Sequence, residues 1–191
     1  MEIDATNEVQ TLYIAYFGRP ADPVGLNFWK TQLLNNPDFY PTASAAFSTS
    51  NEFQAMYGGL NRWGLVEKIY DNLFGRAPDQ AGLDFWVGAL ERGTITVDNA
   101  VTFIANGAIN NDRVVINGRV AVATAFTERV DTAQETLAYS GPAANLIAHD
   151  YVGGVRDLTT AALHMDPGQI DATIARIVGV PGVAEADVMM V

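Results

Sequence analysis

The segment Tyr13-Ile-Ala-Tyr-Phe-Gly-Arg-Pro-Ala-Asp-Pro-Val-Gly-Leu-Asn-Phe-Trp29 returns 57 residues later as Tyr70-Asp-Asn-Leu-Phe-Gly-Arg-Ala-Pro-Asp-Gln-Ala-Gly-Leu-Asp-Phe-Trp86. Tyr, Phe, Gly, Arg, Asp, Gly, Leu, Phe and Trp recur in register. A fixed period of this kind marks one supersecondary unit used twice. Residues 1–112 therefore read as a tandem repeat, with copies at about 9–55 and 66–112. The recurring residues are aromatics, glycines and a capping aspartate, which build a fold. No nucleophile or metal cluster recurs with them, so the repeat argues for a scaffold or binding module.

The spacing of apolar residues predicts helices. Val9, Leu12, Tyr13, Tyr16 and Phe17 share one face, with Thr6 or Asn7 as the start. Gly18 is placed to end that helix in the left-handed conformation. Asp22 then reads as an N-cap, with Pro23 at the first helical position and Leu26, Trp29, Leu33 and Leu34 facing inward. Gly25, in that first turn, is expected to admit another backbone. Shorter helices are expected near 42–48 and 51–57, the latter capped by Asn51, with a break at Pro37 and Pro41. The second copy repeats the logic: Leu65 to Phe74 ended by Gly75, a helix capped by Asp79, and a third over 96–106 with Val97, Val101 and Ile104 inward. Residues 113–191 read as a helical extension packed on the repeat within one folding unit, with helices over 114–130, from Ser140-Gly-Pro, from Asp157 and from Pro167 to about 178, then a short tail. The expected class is all-α: a multi-helix bundle of two helix–loop–helix repeats plus that extension.

Charge and composition narrow the functions. The net charge is −11, which disfavours nucleic acid and anionic membrane surfaces. There is no cysteine, hence no disulfide and no thiolate metal site. No apolar run is long enough for a membrane span. The start, Met1-Glu-Ile-Asp, lacks the basic and apolar regions of a cleaved secretory signal.

The candidate site residues each carry a bland and a sharp reading. Arg19 and Arg76, three residues before the capping aspartates, are expected to tie their loops through carbonyls or a carboxylate; a paired anion site is the alternative. Trp29, Trp86, Phe28 and Phe85 are expected in the core, with a sugar platform as the alternative. Trp63, outside the repeat, is the aromatic expected to be exposed. Arg19, Arg62, Arg76, Arg113 and Arg119 are the candidates for a basic patch. Oxygen-rich stretches (Asp22 with Asn27, Asp79 with Asp84, and Asn110-Asn111-Asp112) make calcium a candidate ligand, although no EF-hand loop is present. His149 and His164 lack a partner at i+4 for zinc. Ser140, His149 and Asp150 form a triad only on paper, without a Gly-x-Ser-x-Gly elbow. No enzyme activity is expected.

The stretch Val9 to Trp29 resembles the signature of domain of unknown function 4214, a helical domain of bacterial surface and secreted proteins. The resemblance continues through Phe47–Phe53, Ile69–Arg76, Ile104–Ala108, Val122–Thr127 and Leu137–Gly141. It implies an all-α fold distantly similar to phycobilisome linkers. It also implies a place at the N-terminus of S-layer-like and hemolysin-type calcium-binding proteins exported by type I secretion, whose signal is C-terminal and uncleaved. The implied role is non-catalytic attachment to the cell surface or assembly there, with lipopolysaccharide or another envelope glycan, or a second copy, as partner. The alternatives are a calcium-dependent glycan-binding adhesion domain and an intracellular scaffold resembling a phycobilisome linker. The implied location is extracellular or at the cell surface. The chain departs from such proteins in lacking the Gly-Gly-x-Gly-x-Asp calcium tract.

Overall fold

The computed structural model describes residues 4–36 and 38–180. The expected break at Pro37 and the expected tail lie outside them, as does the far end of the extension. Among the described residues the chain is twelve α-helices and no strand. The first copy supplies α1 (Ala5–Phe17), α2 (Pro23–Asn35), α3 (Phe39–Ser48) and α4 (Asn51–Tyr57). The second supplies α5 (Arg62–Phe74), α6 (Gln80–Glu91) and α7 (Val97–Asn106), and runs into α8 (Asn110–Arg129). Then come α9 (Ala133–Ala138), α10 (Pro142–Gly153), α11 (Leu158–His164) and α12 (Pro167–Val178).

α1 is the axis of the molecule. It packs on α2, α4, α5, α7 and α8, and nearly every residue from Val9 to Phe17 is buried. An amphipathic face explains only half of that. Tyr13, Tyr16 and Phe17 enter the large cluster that runs from Val9 to Ile116. Ile14 points the other way, into a cluster with Val120, Val122, Ala123, Val152, Val155 and Ala161. The extension therefore covers the second side of α1. A third cluster joins Phe126, Tyr139, Ala148, Ile170, Ile174 and Ile177.

Polar side chains lock these layers. Gln10 is fully buried; its Nε2 donates to Thr127 Oγ1 (2.8 Å) and its Oε1 accepts from the Ala21 N–H (3.0 Å). Thr127 Oγ1 in turn donates to the Ala21 carbonyl at 2.7 Å. Buried polar groups demand partners, and here each satisfies another across α1, α8 and the first repeat loop. Tyr139 Oη donates to the Pro20 carbonyl at 2.6 Å, fixing the extension to the same loop.

Several local expectations are corrected. Asp4, not Thr6 or Asn7, caps α1 by accepting from the Asn7 N–H. Ser50, not Asn51, caps α4. α8 starts at Asn110, four residues before the expected start and across the expected 112/113 boundary, so Asn110-Asn111-Asp112 is a helical first turn rather than a loop. α9 was not foreseen; a capping box between Thr132 and Glu135 opens it. α2 buries no residue completely, because only α1 and α3 border it closely. Leu34 and Val97, expected to face inward, are exposed.

Candidate functional site

The two repeated loops fold alike. Gly18 (φ 65°) and Gly75 (φ 64°) end α1 and α5 in the left-handed region that glycine alone occupies freely. Asp22 and Asp79 then start α2 and α6, each accepting the N–H of the glycine three residues on, Gly25 and Gly82, at 2.7 Å. Those glycines recur because a tyrosine hydroxyl, not a backbone, lies against each helix. A Cβ on Gly25 would lie 2.2 Å from Tyr13 Oη, and one on Gly82 would lie 3.2 Å from Tyr70 Oη. Trp86 Nε1 donates to Tyr70 Oη at 3.1 Å. Trp29 and Trp86 are half-buried against the main cluster rather than sunk in it.

The arginines are held by the protein itself. Arg19 is buried and bidentate with Glu52 (Nε to Oε1 2.6 Å, Nη2 to Oε2 2.7 Å), and its Nη1 donates to the Pro20 carbonyl. It also sits over the rings of Tyr13, Phe17 and Tyr139. Burial pulls its pKa down, but the bonds from Glu52 outweigh that and leave it above the usual range. Arg76 repeats the arrangement nearer the surface, bidentate with Asp112 (2.8 and 2.6 Å) and bonded to the Ala77 carbonyl. Glu52 and Asp112 each sit in the first turn of the helix that follows the repeat's third helix. Each arginine thus closes its own repeat, and the two do not combine into one anion site.

Arg113 donates to the carbonyls of Ala105, Asn106 and Ala108 at the end of α7. Arg119, 2 % exposed, donates to the carbonyls of Val155, Asp71, Asn72 and Gly153, where α5 and α10 end. Burial, with the neighbouring Arg156 adding to it, pushes its pKa down to about 10. Of the five candidate arginines, Arg62 alone is exposed without a side-chain hydrogen bond or ion pair among the described residues, beside Trp63, which is 43 % exposed as expected. Four of the five are thus held by the protein's own carbonyls and carboxylates.

Asp84 Oδ1 accepts from Gln80, and Asp112 is engaged by Arg76. Among the described residues no three His, Cys, Asp or Glu side chains gather where they could hold a metal ion. Ser140 Oγ donates to the Leu137 carbonyl, whereas His149 meets Asp150 (3.3 Å) and Asn72 (3.4 Å), so the triad drawn on paper does not form. His164 Nδ1 lies 2.8 Å from the Thr160 carbonyl within its own helix. Phe28 and Phe85, expected in the core, are 53 % and 60 % exposed.

What the sequence did not indicate is a cleft of about 690 Å³ between α4, α5 and the start of α10. Phe17, Ala55, Met56, Pro142 and Leu146 make it mainly apolar, with Lys68 and His149 among its walls. His149 also borders a smaller polar pocket of about 110 Å³ with Asn72, Arg119 and Arg156. The lining of the cleft runs from Phe17 to His149, 132 positions on, so no local motif announces it. Exposed Leu146 on a helix already carrying a buried face was the one available sign.

Residues 43–113, from within α3 to the start of α8, match the family model described as "Domain of unknown function (DUF4214)". The stretches around 9–29, 122–127 and 137–141 that also resemble the family lie outside the match. Neither the curated proteins nor the solved structures give a match.

Proposed function

We propose that the chain is a non-catalytic helical binding module that holds a bacterial surface or secreted protein at the cell envelope or assembles it there. The observation that supports this best is the cleft between α4, α5 and α10. Its volume falls within the range of small-molecule and ligand sites, and its lining is mostly apolar. The ionisable groups in its walls have partners within the protein: Glu52 is bound by Arg19, Lys68 lies 3.4 Å from Asp71, and His149 meets Asp150 and Asn72. Such a surface suits adhesion better than proton transfer.

The envelope reading also constrains how contact is made. A chain of net charge −11 repels anionic lipopolysaccharide. Four of the five candidate arginines are engaged internally, so contact would rest on apolar burial in the cleft and on bridging divalent cations such as calcium. Cosedimentation of the protein with isolated bacterial envelopes, with and without chelator, tests this. The expected result is retention that falls with chelator and is lost in Leu146→Asp, which places a charge in the exposed wall of the cleft. Absence of retention in both conditions removes the anchoring function.

A further inference from the structure

The two copies of the repeat differ at many positions, yet both keep a phenylalanine that the core does not take up. Phe28 on α2 and Phe85 on α6 are equivalent, more than half exposed, and oriented alike. Each ring meets the following tryptophan edge-on: centroids 5.0 Å apart at 82° for Phe28–Trp29, and 4.9 Å at 79° for Phe85–Trp86. The tryptophans are anchored from below. Trp29 packs on Phe39 and Phe47, and Trp86 is bonded to Tyr70. Packing accounts for the tryptophans. An exposed aliphatic side chain would shield them as well as phenylalanine does, so the ring itself is the feature requiring explanation.

The surroundings narrow what the ring meets. Gly25 and Gly82, three residues before each phenylalanine, raise no side chain beside it. Three and seven residues after Phe28, on the same helical face, stand exposed Thr31 and Asn35, which donate to the carbonyls of Asn27 (3.0 Å) and Thr31 (2.7 Å) and keep their side-chain oxygens as acceptors. At the matching places after Phe85, Gly88 leaves room and Arg92 folds over it: a Cβ on Gly88 would lie 2.9 Å from Arg92 Nη1. The carboxamide of Asn27 makes no side-chain hydrogen bond among the described residues. Each phenylalanine thus stands in solvent with hydrogen-bonding groups beside it, and exposed Val24, one turn before Phe28, adds apolar surface at the first site.

We propose that Phe28–Trp29 and Phe85–Trp86 are two equivalent stacking sites for a neutral polysaccharide. Sugar rings present apolar C–H faces to aromatic faces while their hydroxyls reach the flanking side chains. The chain's acidity disfavours anionic glycans. Twin sites suit a polymer, because a second contact by a tethered unit adds avidity without a new kind of contact. This inference takes its biological setting from the module reading but uses a different surface from the cleft.

The test is affinity electrophoresis of the chain in gels containing dextran, mannan or β-glucan. It is paired with tryptophan fluorescence in a Trp63→Phe background, where Trp29 and Trp86 alone report. Retardation by at least one polymer is expected, with a fluorescence change on adding its hexasaccharide. Phe28→Ala or Phe85→Ala should weaken binding about three- to tenfold each, and the double variant should abolish it with unchanged far-ultraviolet circular dichroism. Retardation by none of the polymers, or undiminished retardation of the double variant, overturns the proposal. So does a dimer in sedimentation that the double variant converts to monomer, because the rings then face a second copy. A double variant that still cosediments with envelopes while Leu146→Asp does not leaves the anchoring reading standing apart from this one.

Discussion

Gly25 and Gly82 occupy the same place in the two repeats, yet replacing each with alanine should have unequal consequences. An alanine in a helix is favoured over glycine by about 1 kcal/mol, so both substitutions begin with the same gain. At Gly82 the new methyl would stand 3.1 Å from Asp79 Oδ1 and 3.2 Å from Tyr70 Oη. Shifts of a few tenths of an ångström relieve both contacts, and the gain is roughly cancelled. At Gly25 it would stand 2.2 Å from Tyr13 Oη and 2.8 Å from Asp22 Oδ2. Tyr13 is buried among Phe17 and Phe47, with Arg19 over its ring, and cannot retreat by an ångström without disturbing them. Overpacking of this kind costs about 1–3 kcal/mol, and displacing the Asp22 cap adds about 0.5–2 kcal/mol. The net for Gly25→Ala is a loss of about 0.5–4 kcal/mol, centred near 2, against a change within about 0.5 kcal/mol for Gly82→Ala. Urea denaturation followed by circular dichroism reads this directly: the Gly25→Ala midpoint should fall by roughly 1 M, and the Gly82→Ala midpoint should hardly move. Equal losses at the two sites, or a stabilised Gly25→Ala, would refute the assignment of these glycines to tyrosine contact.

The two Arg–carboxylate pairs make a second contrast. Glu52→Gln leaves the buried Arg19 guanidinium short of its counter-charge and should cost about 3 kcal/mol, whereas Asp112→Asn, beside the more exposed Arg76, should cost less than about 1 kcal/mol; chemical denaturation of the two variants decides it. Asp22→Ala and Asp79→Ala should each lose about 0.5–2 kcal/mol of stability through their caps, with no calcium dependence of the loss; a calorimetric calcium titration abolished by Asp79→Ala would contradict this. Glu135 has its pKa lowered from 4.5, first by the Thr132 backbone N–H and then by its side chain. A depressed carboxyl stabilises the fold above its unfolded pKa and loses that contribution as pH falls through the folded value. The melting-temperature gap between wild type and Glu135→Gln should therefore be widest above pH 4.5 and close in acid.

The local features of this protein were legible residue by residue, because their causes are local. A left-handed glycine, an aspartate before a proline, and a repeated Gly-Arg are decided within a few positions, and Gly18, Gly75, Asp22 and Asp79 sit where those rules place them. The all-α class followed from the same short-range periodicity. Burial followed it only in part: the pattern of α1 shows one apolar face, and its second face is covered because α8 and α10 happen to lie against it. The reverse holds for α2, whose apolar residues have too few neighbours to sink. Partners separated by tens of residues were beyond any spacing rule, which is why Glu52 for Arg19, the carbonyls for Arg119 and the walls of the cleft appear only in three dimensions. Phe28 and Phe85 show the division most clearly. The repeat says that the fold keeps a phenylalanine there, but whether a ring on a helix faces a neighbour or the solvent depends on which helix stands opposite, and among the described residues these two rings stay more than half exposed.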